Sequence, residues 1–311
     1  MQNFRSIGCL PLMMSFADLV NALPKGTSTS TFHIPHANPP NTMSLSVINT
    51  GYIGSKASRA FEGGSANDVR MFGLYAVLLQ HENGSILLDA GAGKNSESHR
   101  LKLPWLMRKT TTFHKIKPAA QQLSEHGFSP KTLDAILLTH AHWDHISGAE
   151  DFDGISLWMT EEEQAFMEST HRSMRVARNI ENVSTKTLNF SNMPYFGFDK
   201  SIDIWGDGSL VVVPAPGHTP GSIIAFVTLP SGLRIAFIGD IVWQMEGIDL
   251  QVPKPLLSRL IADYAPAEVK DLIRRLAELK RQVPNMLIVP AHDQKMMGQL
   301  PTWPQTTLGH C

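Results

Sequence analysis

Ala135-Ile136-Leu137-Leu138-Thr139-His140-Ala141-His142-Trp143-Asp144-His145 decides the fold. An apolar run of β type, Ala135 to Thr139, leads straight into three imidazoles and a carboxylate between positions 140 and 145. In an extended or loop segment successive side chains alternate sides, so His140 and His142 project together. Imidazole and carboxylate together suit Zn²⁺ or a similarly borderline cation, which accepts both nitrogen and oxygen donors. The bland alternative, a polar loop whose histidines are merely solvated, is disfavoured by so dense a cluster.

Three later segments argue against that bland reading. Pro214-Ala215-Pro216-Gly217-His218-Thr219-Pro220-Gly221 follows the apolar run Leu210–Val213, and its Gly and Pro residues define a tight loop able to present His218. Gly239-Asp240 follows Ile235–Ile238, and Pro290-Ala291-His292-Asp293 follows Met286–Val289. In α/β folds, loops at strand ends are where a rigid scaffold places ligand and catalytic side chains. Singly, His218, Asp240 and His292 would be ordinary loop residues. Together with the dense motif they point to one metal-binding site.

Further out, Leu45–Ile48, Leu74–Leu79 and Ile86–Leu88 read as strands. The last two are joined by the hairpin signal His81-Glu82-Asn83-Gly84, since Asn-Gly readily takes positive φ. Pro118–His126 carries helix start and stop signals, with Gly127 after it. Ile155–Met159 reads as a strand, and Thr160 with Glu163 as a capping box opening a helix toward Glu168. Leu103-Pro104-Trp105-Leu106-Met107, with Phe113, reads as a loop-like insertion. Leu210–Val213, Ile223–Val227 and Ile235–Ile238 are strands; Val269, Leu272, Ile273, Leu276 and Leu279 mark an amphipathic helix, and Met286–Val289 a final strand. The strands cluster in two groups, each accompanied by helices. That predicts a layered α/β domain in which two sheets share one core with helices outside. Residues 44–303 are assigned to it, 1–43 to an N-terminal extension or weak signal-like segment plus linker, and 304–311 to a C-terminal tail.

Composition sets the outer bounds. The chain has 311 residues, 42% hydrophobic and 18% charged, which excludes a disordered or fibrous protein. Lys and Arg number 27 against 28 Asp and Glu, giving a net charge of −1, so a protein that grips phosphate backbones is not expected. Cys9 and Cys311 lie at opposite ends and form neither a disulfide framework nor a CxxC knuckle. No run approaches the roughly 20 apolar residues of a membrane span. Arg5 followed by Ile7–Val20 resembles a short signal sequence, but Asp18 interrupts it. A cytoplasmic location is therefore the expectation, with a periplasmic or secreted one if that segment is a signal.

The motif His140-x-His142-x-Asp144-His145, followed in order by His218, Asp240 and His292, resembles the metallo-β-lactamase superfamily. Asp89 in Leu88-Asp89-Ala90-Gly91 and the loop Gly217-His218-Thr219-Pro220-Gly221 match that family's pattern too. The resemblance implies an αββα sandwich of two mixed β-sheets with outer helices and metals at one edge. It implies that His140, His142 and His218 hold one metal and Asp144, His145 and His292 the second, with Asp240 bridging. The implied cofactor is two Zn²⁺ per chain, with Fe or Mn as substitutes. Two such cations carry more charge than two carboxylates neutralise. They favour a bridging hydroxide, since each lowers the pKa of water from 15.7 toward about 7. Asp144 and Asp240 are the expected catalytic carboxylates, Asp144 also shuttling a proton. Asp89 and Thr139 are expected to orient imidazoles from behind.

Departures from related patterns narrow the class. The β-lactamases of this fold commonly place Cys where Asp240 stands, and flavodiiron reductases place Glu where His142 stands, so both activities are disfavoured. Quorum-quenching lactonases carry Tyr three residues after the bridging Asp, where this chain has Trp243. The expectation is a dinuclear zinc hydrolase that cleaves an ester, lactone or thioester in a small, partly hydrophobic substrate. A phosphodiester or phosphotriester hydrolase with the same centre is the alternative. A mononuclear iron enzyme resembling persulfide dioxygenases comes next, disfavoured by the second-site set, and a non-catalytic scaffold last. Trp243, Trp105 and Met107 are candidate substrate contacts; side chains of this kind equally pack a core or a homodimer interface. His99, His114 and His171 are expected to be surface or loop histidines. Ser258-Arg259 either brings a cation near the site or closes a salt-bridged loop.

Overall fold

Apolar residues along the strands alternate between two destinations, and that alternation builds four layers. The computed structural model describes residues 34–306. The signal-like stretch Ile7–Val20 and both cysteines lie outside the described residues. The first sheet contains β1 (Ser44–Lys56), β2 (Val69–His81), β3 (Gly84–Leu88), β4 (Thr112–Lys115), β5 (Ala135–Leu137), β6 (Ser156–Met159) and β7 (Ser184–Thr187), in the order β4-β1-β2-β3-β5-β6-β7. Strands β3, β5, β6 and β7 are parallel, and the β4-β1-β2-β3 part is antiparallel. The second sheet orders β12 (Met286–Val289), β11 (Arg234–Phe237), β10 (Ile223–Thr228), β9 (Leu210–Pro214) and β8 (Ile202–Asp203) as β12-β11-β10-β9-β8, with β11 and β12 parallel. Both sheets are mixed.

The helical segments are α1 (Ser96–Leu101), α2 (Trp105–Thr110), α3 (Ala119–Glu125), α4 (Trp143–Ile146), α5 (Glu161–Glu168), α6 (Glu246–Asp249), α7 (Leu256–Ala262), α8 (Pro266–Gln282) and α9 (Gln294–Met297). Val77 and Leu79 of β2 face Val212, Ala225, Ile235 and Phe237 of the second sheet in a central core. Their neighbours Ala76 and Leu78 turn outward against Ala119 and Leu123 of α3 and Phe166 and Met167 of α5. On the far side, Val211, Val213 and Ile288 meet Val269, Leu272, Ile273, Leu276 and Leu279 of α8. A strand covered on both faces needs apolar residues throughout, which is why these runs read as continuous. Each fully buried Leu or Ile contributes about 1.5–3 kcal/mol of transfer free energy, so the order helix, sheet, sheet, helix is driven chiefly by burial.

The layering sets the direction of the strands that matter. Strands β3 and β5 run the same way, as do β11 and β12; β9, separated from β11 by the antiparallel β10, runs with them. Their carboxyl ends emerge at one edge of the paired sheets. There Ile223 N–H donates to Thr139 O (3.0 Å), Ala291 N–H to Gly239 O (3.0 Å) and Asp89 N–H to Leu137 O (2.9 Å).

Two expectations about local structure need correcting. The segment read as a loop-like insertion forms helix α2 and strand β4, the latter pairing with β1 between Gly51 and Gly54. Helix α2 buries none of its residues, so no apolar period marks it in the sequence. The hairpin of β1 and β2 extends beyond Leu74 to Val69, and its far end packs Phe72 against Phe61 and Trp243. Gly51, Gly54, Ser55 and Arg70 interrupt the apolar alternation there.

Candidate metal centre

Five loops at the common edge deliver the side chains. Thr139 to His145 follows β5, His218 follows β9, Asp240 follows β11 through Gly239 (φ +52°), and His292 follows β12. Asp89 leaves β3 at φ +53°. The positive φ at Gly239 is one that L side chains rarely adopt, and it turns the chain so that Asp240 points inward.

Among the described residues, three triplets bring metal-ligating atoms within 4.8 Å of one another: His140, His142 and His218; His140, His145 and Asp240; and Asp144, His145 and His292. All seven residues singled out in the sequence are therefore gathered in one cluster. The first and third triplets have the membership expected for two separate cations. Asp240 lies between them, 3.5 Å from His218 Nε2, 3.3 Å from His145 Nε2 and 3.2 Å from His292 Nε2. Asp144 Oδ2 is 3.5 Å from His292 Nε2. His142 and Asp144 are half-buried and the other five are buried, so the cluster opens toward solvent on the His142–Asp144 side.

A layer of polar groups fixes each ring. Asp89 accepts from Thr139 N–H (2.8 Å), from Thr139 Oγ1 (2.8 Å) and from His145 Nδ1 (2.8 Å). Thr139 Oγ1, having donated its proton to Asp89, is left to accept from His140 Nδ1 at 3.1 Å. Asp263 holds His218 Nδ1 at 2.8 Å, and the carbonyl of Gly73 holds His292 Nδ1 at 2.8 Å. Four rings thus turn Nε2 inward, while His142 presents Nδ1, 2.9 Å from His218 Nε2. Carboxylate or carbonyl partners on the outer nitrogen are what orient metal-binding imidazoles. Asp89 and Thr139, the residues expected to orient imidazoles from behind, are among these partners. Asp263 and Gly73 carried no sequence signal.

Glu163 does more than the capping box predicted. Thr160 Oγ1 accepts from Glu163 N–H (3.0 Å), but the Glu163 carboxylate does not return to Thr160. It is buried and accepts from Ala141 N–H (2.6 Å), Thr219 Oγ1 (2.6 Å) and Gly221 N–H (3.1 Å), clamping the His140–His142 loop to the His218 loop. Gly221 permits this contact, since a Cβ there would lie 2.1 Å from Thr160 Oγ1.

The electrostatics divide the cluster. Burial, reinforced by neighbouring imidazoles, holds His140 and His142 well below the ordinary histidine pKa, and burial with the Lys254 ammonium lowers His218. These three rings are neutral at pH 7 and offer lone pairs. Burial alone would lower His145 as well, but the Asp89 and Asp240 carboxylates outweigh it and hold this imidazole well above its usual value. His292 is raised against burial by Asp240 and Asp144, and Asp240 is held well below the carboxylate range by His292 and His145 despite its burial.

Metal ions fit this donor set. His140 Nε2, His145 Nε2 and Asp240 Oδ1 are buried, face the cluster and make no well-directed hydrogen bond, the last two lying 3.3 Å apart as an ion pair. An unsatisfied buried polar atom costs about 1–3 kcal/mol, and three converging on one point mark a place where a cation belongs.

The remaining candidates fall elsewhere. Trp243 donates its indole N–H to Asp240 Oδ2 at 2.8 Å, so the one polar atom of this candidate substrate contact is engaged with the cluster itself. Trp105 is 62% exposed on α2 with Lys109 over its ring, and Met107 is half-buried. The segment after them touches the metal motif through Phe113, whose ring meets Trp143 edge-on at 5.9 Å. His114 and His171 are exposed, as expected; His99 is not, being buried with Nδ1 on Ser147 Oγ at 2.9 Å. Arg259 pairs with Glu62 at 3.2 Å, closing a salt-bridged loop.

Residues 71–292 match the sequence model of the family described as the Metallo-beta-lactamase superfamily. A probable metallo-hydrolase of Mycobacterium tuberculosis is 29% identical over 234 residues, covering 70% of this chain and 74% of the relative. A metallo-hydrolase of Annulohypoxylon moriforme is 21% identical over 294 residues, covering 76% of this chain and 74% of that protein. Among solved structures, an N-acyl homoserine lactone hydrolase with the product N-hexanoyl-L-homoserine at its catalytic metal centre superposes with TM-score 0.67 at 17% identity, covering 88% of this chain and all of the other. A dizinc quorum-quenching lactonase gives TM-score 0.56 at 15% identity, with 85% and 90% covered. At these identities the structural likeness establishes the fold.

Proposed function

Since the chain belongs to the metallo-β-lactamase superfamily and is a metal-dependent hydrolase of that family, we propose that it opens an ester, lactone or thioester bond in a small, partly hydrophobic substrate with two zinc ions as cofactor. His140, His142 and His218 would hold one ion, Asp144, His145 and His292 the other, and Asp240 would touch both. The observation that carries this reading is the inward convergence of seven donors, three of their atoms otherwise unsatisfied. The lactone class draws further support from the two solved lactonases that share the fold.

Bound zinc supplies Lewis acidity toward the scissile carbonyl and lowers the pKa of water, giving a nucleophile at neutral pH. The protein's own groups do the rest. Asp144, half-buried at the mouth beside His292, would accept a proton from the attacking water and return it to the leaving oxygen or sulfur. Asp240, with Oδ2 fixed by Trp243 N–H, keeps the two donor sets in register. Trp243 offers no ionisable proton, so the departing group is protonated from the Asp144 side. The buried walls around His140, His145 and His292 exclude bulk water and leave His142 and Asp144 as the approach.

Metal quantitation of the purified protein, followed by a panel of lactones, aryl esters, thioesters and phosphotriesters, tests the proposal. It predicts about two zinc per chain, turnover of a carbonyl substrate above that of phosphotriesters, and loss of that turnover on chelation or in His142→Ala. Less than one metal per chain with chelator-insensitive turnover would overturn it, and faster phosphotriester turnover would transfer it to the phosphoester class.

A further inference from the structure

Lys254 is an unusual residue to find beside a cation-binding site. Its side chain has no solvent exposure, and an unpaired buried ammonium is among the costliest groups a protein can carry. Each of its three protons has a partner: Asp240 O at 2.6 Å, Ile241 O at 3.1 Å and Asp263 Oδ1 at 2.7 Å. The same Asp263 oxygen accepts from His218 Nδ1 at 2.8 Å. The segment carrying Asp263 is docked along the His218 loop by Tyr264 N–H to His218 O (3.0 Å) and Ala265 N–H to Gly217 O (2.8 Å). Trp243, whose N–H holds Asp240 Oδ2, lies with its ring 5.4 Å from the same ammonium.

We propose that Lys254 and Asp263 form a positioning pair that locks His218 in the tautomer with Nε2 turned inward and ties that ring to the backbone of Asp240. An ammonium near donors for cations opposes cation binding through its charge. A net benefit from Lys254 must therefore come through geometry, and the contacts show the route. Lys254 fixes the Asp263 carboxylate, Asp263 holds the Nδ1 proton of His218, and the free Nε2 lone pair is left facing the cluster. Lys254 also anchors the carbonyls of residues 240 and 241, so the His218 loop and the Asp240 loop move as one body. Pro253 and Pro255 flank it and restrict the backbone that delivers it.

This inference rests on the ligand assignment proposed above, and its test separates the two. Zinc affinity is measured by competition with a chromophoric chelator for the intact protein, Lys254→Met, Asp263→Asn, the double variant and His142→Ala, with circular dichroism confirming the fold of each. A purely electrostatic role predicts tighter zinc binding when the positive charge of Lys254 is removed. The positioning role predicts the opposite: affinity at one of two sites weakened roughly 10–100-fold in Lys254→Met and similarly in Asp263→Asn. The double variant is expected to be no worse than the more damaged single variant, and the cobalt-substituted visible spectrum to change with the affinity. Unchanged or tighter binding in Lys254→Met, while His142→Ala loses metal, overturns the Lys254 role alone. Unchanged binding in His142→Ala overturns the ligand assignment itself. If Lys254→Met does not fold, ¹⁵N-histidine spectra of the zinc-loaded wild type decide. His218 protonated on Nδ1 is the expected result, and protonation on Nε2 overturns the proposal.

Discussion

Four of the five clustered histidines turn Nε2 toward the centre because another group claims Nδ1: Thr139 Oγ1 for His140, Asp89 for His145, Asp263 for His218 and the Gly73 carbonyl for His292. The inner groups were legible from type and spacing, because imidazoles two apart in an extended segment share a side. Asp263 and Lys254 were not legible. A buried ion pair contributed by two distant loops leaves no local periodicity, and each residue reads alone as an ordinary surface charge. His99 was misread for the same reason. It follows a polar helix start, yet it is buried against Ser147 with Glu150 Oε1 3.6 Å from its Nε2. Burial depresses its pKa below 6.5, with Glu150 only partly opposing. In the window between the depressed folded value and 6.5, the unfolded chain binds the proton more readily than the folded one. Stability therefore falls as pH drops through that window. The difference in unfolding free energy between wild type and His99→Asn should accordingly shrink between pH 7.5 and pH 5 in denaturant titrations. A difference that stays constant or grows on acidification would contradict the assignment.

At the scale of elements, the amphipathic helix α8 and the two groups of strands could be read from the sequence because their apolar positions repeat with the period of the structure they form. Val269, Leu272, Ile273, Leu276 and Leu279 are the residues α8 buries. Helix α2 and strand β4 could not be read, being short and lying at the surface and the sheet edge. Helix α5 shows how an element can be located correctly while its purpose is missed. Thr160 and Glu163 mark its start, but the carboxylate at the third position joins the His140–His142 loop to the His218 loop instead of completing the cap. Glu163→Gln keeps the shape while replacing one acceptor oxygen with an N–H₂ group that faces donors. A loss of about 1–3 kcal/mol is expected from one buried donor left unsatisfied, read from urea midpoints. Zinc should also dissociate faster into excess chelator, because the loops of His140 and His218 are no longer clamped. Unchanged stability and unchanged zinc release would show that the clamp is dispensable.

For the molecule as a whole, the four layers matter because they place the carboxyl ends of β3, β5, β9, β11 and β12 along one edge. The first sheet supplies His140, His142, Asp144 and His145, and the second supplies His218, Asp240 and His292, so neither sheet alone holds a complete donor set. Backbone hydrogen bonds such as Ile223 N–H to Thr139 O join the sheets at that edge, beside these side chains. The two sheets sharing one core were legible from the clustering of strands, but the strand order was not, since strand runs in a single sequence do not say which neighbour each one takes. The most direct measurement is anomalous X-ray diffraction at the zinc edge from crystals of the zinc-loaded protein. Two peaks are predicted, one among His140, His142 and His218 and one among Asp144, His145 and His292, with Asp240 reaching both. A single peak, or peaks outside these seven side chains, would contradict the account.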